Sequence, residues 1–455
     1  MVKITRFCTR PNSNIYNQDK MLLNHIVLRN FRNYINCEVD FSKPVNLIVG
    51  GNAQGKTSLL EAIYFLCTAE SHRATHDAEL IRHHESGFYL KGTLRNGSDD
   101  VTSLEAMKKA RGQFRLKKNG ILQTKRSEWI GQFNAVFFSP ESLTLVKGGP
   151  SERRRFLDLL ISQIDSEYLK NLQKYNLVLK QRNELLKQIR ATFANVKQLD
   201  AWDPLLLVHG TAVIIRRLEI FHQLKDHAIR NHQKLTGGLE NLALTYRSAS
   251  VSNDTSIDNM TGSILETTGP NSLAESSDAR HKATHEDEDK IAKHFGISLN
   301  ASREADLQRG TTLVGPHRDD FLIELESEPN ESIIHHHSEN EPPAADPGTG
   351  TFREVARSYG SQGQQRTIAL ALKLAELELI RHLTGRDPIV LLDDVTSELD
   401  YKRVGHLLEV LQNLSAQTFI TATHAEPLVH YLNQPNVLTV ENAQISYATA
   451  TNKSS

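Results

Sequence analysis

The stretch Gly50-Gly51-Asn52-Ala53-Gln54-Gly55-Lys56-Thr57, GGNAQGKT in one-letter code, decides the fold. It follows an apolar, β-branched run at Val45–Val49 and precedes the apolar segment Ser58–Cys67. Composition and periodicity predict a strand before the loop and a largely buried helix after it. A glycine-rich loop in that setting turns backbone N–H groups toward phosphate oxygens, and the following helix adds the positive end of its dipole. Gly50 to Gly55 form the cradle, Lys56 neutralises the β and γ phosphates, and Thr57 offers its hydroxyl to Mg2+. The expected ligands are therefore ATP and Mg2+. Such patterns also recur by chance, but the flanking strand and helix argue against that here.

The second half of the chain supplies matching chemistry. Ile389–Leu392 is an apolar run that ends in Asp393 and Asp394. Open α/β sheets hold ligands beyond the carboxyl ends of their strands. Asp393 suits Mg2+, directly or through water, and Asp394 suits orienting or deprotonating an attacking water. Paired acids also end ordinary strands, so their neighbours matter. Upstream, Ser361-Gln362-Gly363-Gln364-Gln365 opens a strongly helical run. Ser361 is a natural N-cap, which leaves free N–H groups to meet a phosphate. Downstream lie Ser397 and Asp400, then the apolar strand Thr418–Ile420, then Thr423 and His424.

At 455 residues, 39% apolar and 24% charged, the chain suits a soluble globular protein of more than one lobe. It has no apolar run of about 18 residues and no hydrophobic signal core, so neither a membrane span nor secretion is expected. Cys8, Cys37 and Cys67 make no CxxC pair, which fits a reducing cytoplasm. The net charge is −1, so any DNA surface must be local. Lys108–Arg126 holds eight Lys or Arg in nineteen residues and no acid, a local patch or simply a solvated hairpin.

The expected organisation begins with a disordered extension at 1–20, with Met1 and Met21 both candidate starts. Residues 21–150 form the N-terminal half of an ATPase head and a β-rich subdomain. Residues 151–247 form a helical arm lobe, with Ser151 as its first cap. A polar disordered insertion at 248–289 leads to a return to the head at 290–325. An acidic disordered insertion at 326–350 carries His335–His337, read as a loop tract rather than a metal site. Residues 351–447 complete the head and 448–455 form a tail.

The order of glycine loop, capped S-x-G-Q helix, doubly acidic strand end, SELD segment and histidine resembles the ABC-type ATPase head. More specific matches are LRNFRNY, GKTSLLEAIYFL, SHR at Ser71–Arg73, SPESLTLVKGGPSERRRFLD at Ser139–Asp158, GPHRDD at Gly315–Asp320, SQGQQR and LLDDVTSELD. Together, over about Met21 to Tyr447, they closely resemble the bacterial RecF family. The resemblance implies an α/β, ABC/SMC-type P-loop ATPase head with a mixed sheet core, a β-rich subdomain and a helical arm lobe. It implies a homodimer that sandwiches ATP, with Ser361, Gln362, Gly363, Gln364 and Gln365 acting in trans. Asp394 and His424 would be catalytic, His424 as the switch histidine, and Ser397 and Asp400 would form the D-loop. It further implies slow, DNA-stimulated hydrolysis, binding to double-stranded and gapped DNA near single-strand junctions, and work with RecR and RecO to load RecA.

Phosphate contacts need only cations. The candidates are Arg73, Lys108, Lys109, Arg111, Arg115, Arg153, Arg154 and Arg155, with surface or inter-lobe salt bridges as the competing reading. ABC heads usually carry a glutamine after the strand leading to the helical lobe. Here that stretch reads AVFFSPES, which leaves Glu141 or Gln132 for the role. His317 is either catalytic or part of a turn with Arg318–Asp pairing. An ABC transporter subunit is disfavoured by the roughly three hundred residues between glycine loop and signature. A long tether would need heptad arms and a hinge or hook, which the sequence lacks. A DNA-binding module that uses ATP only as a dimerisation switch is the remaining alternative.

Overall fold

Two six-stranded sheets share the helix that follows the glycine loop. The first contains β1 (Met21–Phe31), β2 (Tyr34–Asp40), β4 (Gly87–Asn96), β5 (Asp100–Lys109), β6 (Phe114–Lys118) and β7 (Ile121–Gln123). It is antiparallel throughout, in the order β2-β1-β4-β5-β6-β7. The second contains β3 (Val45–Val49), β8 (Ala135–Phe138), β12 (Ile389–Leu392), β13 (Thr418–Ala422), β14 (Asn436–Glu441) and β15 (Gln444–Tyr447). Its order is β15-β14-β3-β13-β12-β8, parallel except for the β14–β15 hairpin. The computed structural model describes residues 21–74, 76–96, 100–112, 114–192, 195–250, 285–327, 352–394, 401–412, 416–432 and 434–447. The 1–20 extension, most of both polar insertions, Ser397, Asp400 and the 448–455 tail lie outside them.

Helix α1 (Lys56–Thr68) is buried along nearly its whole length, between the two sheets. Leu391 of β12 points into that layer. Its neighbours Val390 and Leu392 point the other way, into a core shared with the helices. A parallel strand covered on both faces must be apolar at every position, which is why Ile389–Leu392 shows no alternation.

The helical lobe comprises α2 (Pro150–Ile164), α3 (Ser166–Thr192), α4 (Asp203–Thr236), α5 (His285–Ala301) and α6 (Arg303–Arg309). Gly149, not Ser151, is the N-cap of α2, because Pro150 takes the first helical position where its missing N–H costs nothing. The expected boundary at 290 is also corrected. Helices α5 and α6 pack on the lobe, Ile291, Phe295 and Leu299 meeting Tyr175, Leu206 and Ile214. The close approach requires Gly210, where a Cβ would meet Phe295 at 2.5 Å. The return to the head begins later, at the turn Pro316–Arg318. From there β10 (Asp320–Ser327) enters a small sheet between β9 (Asn241–Arg247) and β11 (Phe352–Val355). The long helices of the last hundred residues are α7 (Gln362–Thr384), against the parallel sheet on the face opposite α1, and α8 (Tyr401–Gln412).

Buried charges knit the lobe together and join it to the head at Pro316 and β10. Arg182 has no exposed surface, and its Nε donates to Asp203 at 2.7 Å. Its Nη1 donates to Asp306 at 2.7 Å and to the Thr312 hydroxyl at 2.8 Å. Arg217 donates to both oxygens of Asp158 and, at 2.6 Å, to the Pro316 carbonyl. The GPHRDD segment is the centre of this joint. The Thr312 carbonyl, 3.0 Å away, only accepts, so His317 Nε2 carries the proton and Nδ1 accepts from the Tyr175 hydroxyl at 2.6 Å. Burial pushes His317 down to about 4, so it stays neutral. The segment is a turn in which His317 faces the joint, but the expected Arg318–Asp pairing does not form, because Asp319 and Asp320 serve other partners. Asp320 pairs with Arg153, and Asp319 accepts from Tyr246, Ser248 and the Ala249 N–H.

Removing one member of a buried charge network strands the others. Arg182→Ala is expected to cost about 3–5 kcal/mol by leaving Asp306 uncompensated and Asp203 with Arg303 alone, 3.8 Å away. A lowered midpoint in urea unfolding monitored by circular dichroism would record it, and an unchanged midpoint would count against this account of the joint.

Candidate functional site

The carboxyl ends of β3, β8, β12 and β13 lie along one edge of the parallel sheet, and the site is assembled there. Beyond β3 the chain turns at Gly50, whose N–H reaches the Ala422 carbonyl at 3.3 Å. Gly55 has φ 119°, and a Cβ there would sit 2.9 Å from Asn33 Nδ2 and 3.1 Å from the Tyr34 hydroxyl. Only glycine fits. The Tyr34 hydroxyl donates to the Gly55 carbonyl at 3.1 Å. On the other side Gln54 Oε1 accepts from Asn442 N–H at 2.5 Å, and the Gln54 carbonyl accepts from Ala443 N–H at 3.0 Å. The loop is thus braced by both sheets.

Lys56 Nζ donates to the Gly50 and Gly51 carbonyls, each at 2.8 Å, which closes the loop into a ring. The residue is only 7% exposed. Burial pushes its ammonium down, and the carboxylates of Asp394 and Asp393 offset part of that. Thr57 Oγ1 donates to Asp393 Oδ1 at 3.1 Å, joining residues 336 positions apart. Asp393 also accepts from the Thr421 hydroxyl at 2.7 Å, and the Asp394 N–H donates to that same hydroxyl at 2.9 Å. Burial raises the Asp393 carboxyl, the two hydroxyl bonds lower it, and nearby Glu141 and Asp394 raise it again. Asp394 sits at φ 49°, in the left-handed region that a short polar side chain tolerates better than most.

Glu141 follows β8 in the turn Pro140–Leu143. Its Oε1 lies 3.2 Å from Arg73 Nε, and its Oε2 is buried without a hydrogen bond. Gln132 is held elsewhere, accepting from Lys118 and donating to the Glu128 carbonyl. Of the two candidates for the departed glutamine, only Glu141 stands beside Asp393. Below it a cavity of about 110 Å3 is lined by Tyr64, His72, Phe137, Arg155 and Lys373, among others. The His72 ring lies 4.0 Å from that of Phe137, and burial pushes it down to about 3, so it is uncharged.

His424 is exposed just past the end of β13, at the same edge. Helix α7 begins with Ser361 as its N-cap, as its sequence indicates. Ser361 Oγ accepts from Gln364 N–H at 3.2 Å, and Gln364 Oε1 accepts from Ser361 N–H at 2.8 Å. Gln365 is buried and donates to the Ala356 carbonyl, whereas Ser361 and Gln362 are exposed. Among the described residues no hydrogen bond or ion pair joins Ser361–Gln365 to Gly50–Thr57.

The proposed phosphate contacts divide. Arg153 is 7% exposed and grips Asp320 through two bonds of 2.7 and 2.8 Å, so it is a structural residue and not a DNA contact. Arg154 donates to the Asp319 carbonyl, Arg155 to the Ser71 carbonyl, and Arg73 pairs with Glu141. Lys108 donates to the Gly112 carbonyl at the β5–β6 turn. Lys109, Arg111 and Arg115 are exposed there and form no ion pair among the described residues. Sequence reasoning missed Thr421, whose hydroxyl ties the two acids together. A threonine inside a β-branched strand carries no signal of its own.

A glycine loop closed by its lysine, two acids at the end of a parallel strand of the same sheet, and a capped helix on the sheet's opposite face define the P-loop ATPase head of ABC type. The RecF/RecN/SMC N terminal domain family matches residues 22–446. The DNA replication and repair protein RecF of Natranaerobius thermophilus is 38% identical over 407 residues, covering 89% of this chain and 92% of the relative. Its counterpart from Bacillus mycoides is 38% identical over 427 residues, covering 93% and 98%. A solved structure of the recombination mediator protein RecF with ATP, in the RecFOR pathway, superposes with a TM-score of 0.76 at 31% identity, covering 96% of this chain and 100% of that one. The chain belongs to the RecF family of DNA replication and repair proteins, whose heads are ATPases.

Replacing the shared hydroxyl while keeping the shape tests the acid pair. Thr421→Val is expected to lower ATP turnover by roughly tenfold, the weight of a hydrogen bond to a charged group, with nucleotide affinity nearly unchanged. Steady-state turnover beside a fluorescent-nucleotide titration checks this, and equal loss in both would contradict it.

Proposed function

We infer that this chain is a RecF-type repair protein. It binds ATP with Mg2+ between two copies of itself and recognises double-stranded and gapped DNA near single-strand junctions. The observation that supports this most is the Thr57–Asp393 contact at 3.1 Å, which brings a hydroxyl and a buried carboxylate together beside Lys56. An all-oxygen pair of this kind fits Mg2+, a hard cation that keeps several waters. Thr57 and Asp393 would hold the ion, and when bound it would neutralise phosphate charge. Lys56 binds the β and γ phosphates, Asp394 orients the attacking water, and Glu141 takes the place of the glutamine usual in ABC heads. His424 meets the γ phosphate from the neighbouring strand. Ser361 to Gln365 close the site from the second copy, with Ser397 and Asp400 as the D-loop between them.

Turnover is slow, since Asp394 is shorter than the glutamate that many such heads use as base. ATP then works chiefly as a clamp that joins two heads, with residues from both halves of the chain forming each head and the helical lobe projecting from it. DNA lies on exposed cations, of which Lys109, Arg111 and Arg115 are the best placed, because Arg153, Arg154 and Arg155 are engaged within the fold. RecR and RecO are the expected partners and RecA loading in gap repair the expected outcome. This work belongs in the cytoplasm. Among the described residues no helix is long and apolar enough to cross a membrane.

ATP hydrolysis with and without gapped duplex DNA tests the reading, for wild type, Lys56→Arg and Asp394→Asn. Slow turnover raised by DNA is expected, with both variants impaired. Alanine at Lys109, Arg111 and Arg115 together should remove the stimulation and leave basal turnover in place. If DNA changes neither turnover nor dimerisation, the assignment fails. Ser361→Arg is expected to bind ATP yet lose ATP-dependent dimerisation in light scattering, and normal dimers in that variant would rule out the trans signature.

A further inference from the structure

The geometry points to Glu240 as a positioning residue for the signature motif, one that fixes the face of α7 closing on a second copy's nucleotide and ties it to the helical lobe. This rests on the trans reading proposed above. Gln364 spends its amide oxygen on the Ser361 N–H, inside the capping box. Its amide nitrogen donates to Glu240 Oε1 at 3.2 Å. A carboxylate only accepts and an amide nitrogen only donates, so the two contacts together permit one orientation of the Gln364 amide. Glu240 thereby fixes the rotamer that caps Ser361, the first residue of the motif.

The carboxylate is delivered by the lobe. Helix α4 ends at Gly237 and Gly238, at φ 67° and 78°, a left-handed stop that glycine adopts without strain. Glu240 follows immediately, ahead of β9. The same two helices are joined again further along, where His227 Nδ1 lies 2.7 Å from Glu378 of α7. So α7 is bonded to the lobe at two places, at its first turn through Glu240 and further along through His227, and a movement of the lobe is carried to the signature.

The second oxygen of Glu240 is buried and accepts no hydrogen bond. His232 Nε2 faces it at 3.5 Å without completing one, and His232 has no exposed surface. A buried acceptor left unmatched costs stability. An apolar side chain would spare that cost, so the fold alone gives little reason for an acceptor here. Holding Gln364 does give one.

The test compares Glu240→Ala, Glu240→Gln and Ser361→Arg with wild type, in the full chain. ATP-dependent dimerisation is read by analytical ultracentrifugation, nucleotide affinity of the monomer by a fluorescent ATP analogue, and stability by thermal melting. Glu240→Ala is expected to weaken the ATP-bound dimer by roughly tenfold or more, the weight of one hydrogen bond to a charged group. Nucleotide affinity and melting temperature should stay near wild type. Glu240→Gln, whose amide oxygen still accepts from Gln364, should restore the dimer. If Ser361→Arg loses the dimer while Glu240→Ala keeps it, the role of Glu240 is overturned and the trans signature stands. If Ser361→Arg dimerises normally, the trans signature falls and Glu240 with it. Parallel loss of dimer, nucleotide affinity and melting temperature in Glu240→Ala would make it a prop of the fold and overturn the proposal.

Discussion

The hydroxyl of Thr57 and the carboxylate of Asp393 meet at 3.1 Å although 336 positions separate them in the chain. That contact requires β12 to lie two strands from β3, with β13 between them in register, so that three carboxyl ends share one edge. Thr421 at the end of β13 completes the arrangement by touching both acids. Burial makes this costly, since Lys56 and Asp393 are each driven toward their neutral forms. The carboxylates offset the cost for Lys56, and the hydroxyls offset it for Asp393. Each group is therefore tolerable only because the others are present.

A second concentration of buried charge lies within the lobe and where it meets the head. Arg153, Arg182 and Arg217 are all buried, and each is matched to carboxylates from distant segments. Paired buried charges of this kind give little net stability but penalise every alternative pairing. They therefore fix the helices of the lobe in one arrangement. The GPHRDD segment contributes Asp319 and Asp320 to this network and its neutral histidine to Tyr175.

The head was legible in the sequence where local pattern and chemistry coincide. The glycine loop, the unbroken apolar run before Asp393 and Asp394, and the Ser361 cap each state their own structure. Residues whose meaning depends on distant partners were not legible. Arg153, Arg154 and Arg155 read as a cation cluster because their partners, Asp320, the Asp319 carbonyl and the Ser71 carbonyl, stand 167, 165 and 84 positions away. Helix α5 was read partly as insertion because Glu286, Asp287 and Glu288 crowd its first turn, although Ile291, Phe295 and Leu299 carry helical spacing. Glu141 and Gln132 could not be separated until β8 was seen beside β12. Thr421 could not be found at all from its own neighbourhood.

The placing of β3 has a consequence for how the protein is made. Both its neighbours come from the last part of the chain, with Val45 opposite Thr418 and Asn46 opposite Asn436. During synthesis the glycine loop therefore emerges early and waits for nearly the whole polypeptide before its strand has a partner on either side. Such long-range pairing is slow, and an unpaired apolar strand invites association with other chains. Nucleotide binding thus reports a finished molecule: a ribosome-bound or truncated chain carries the loop but not the bracing of Ala422, Asn442 and Ala443 that shapes it.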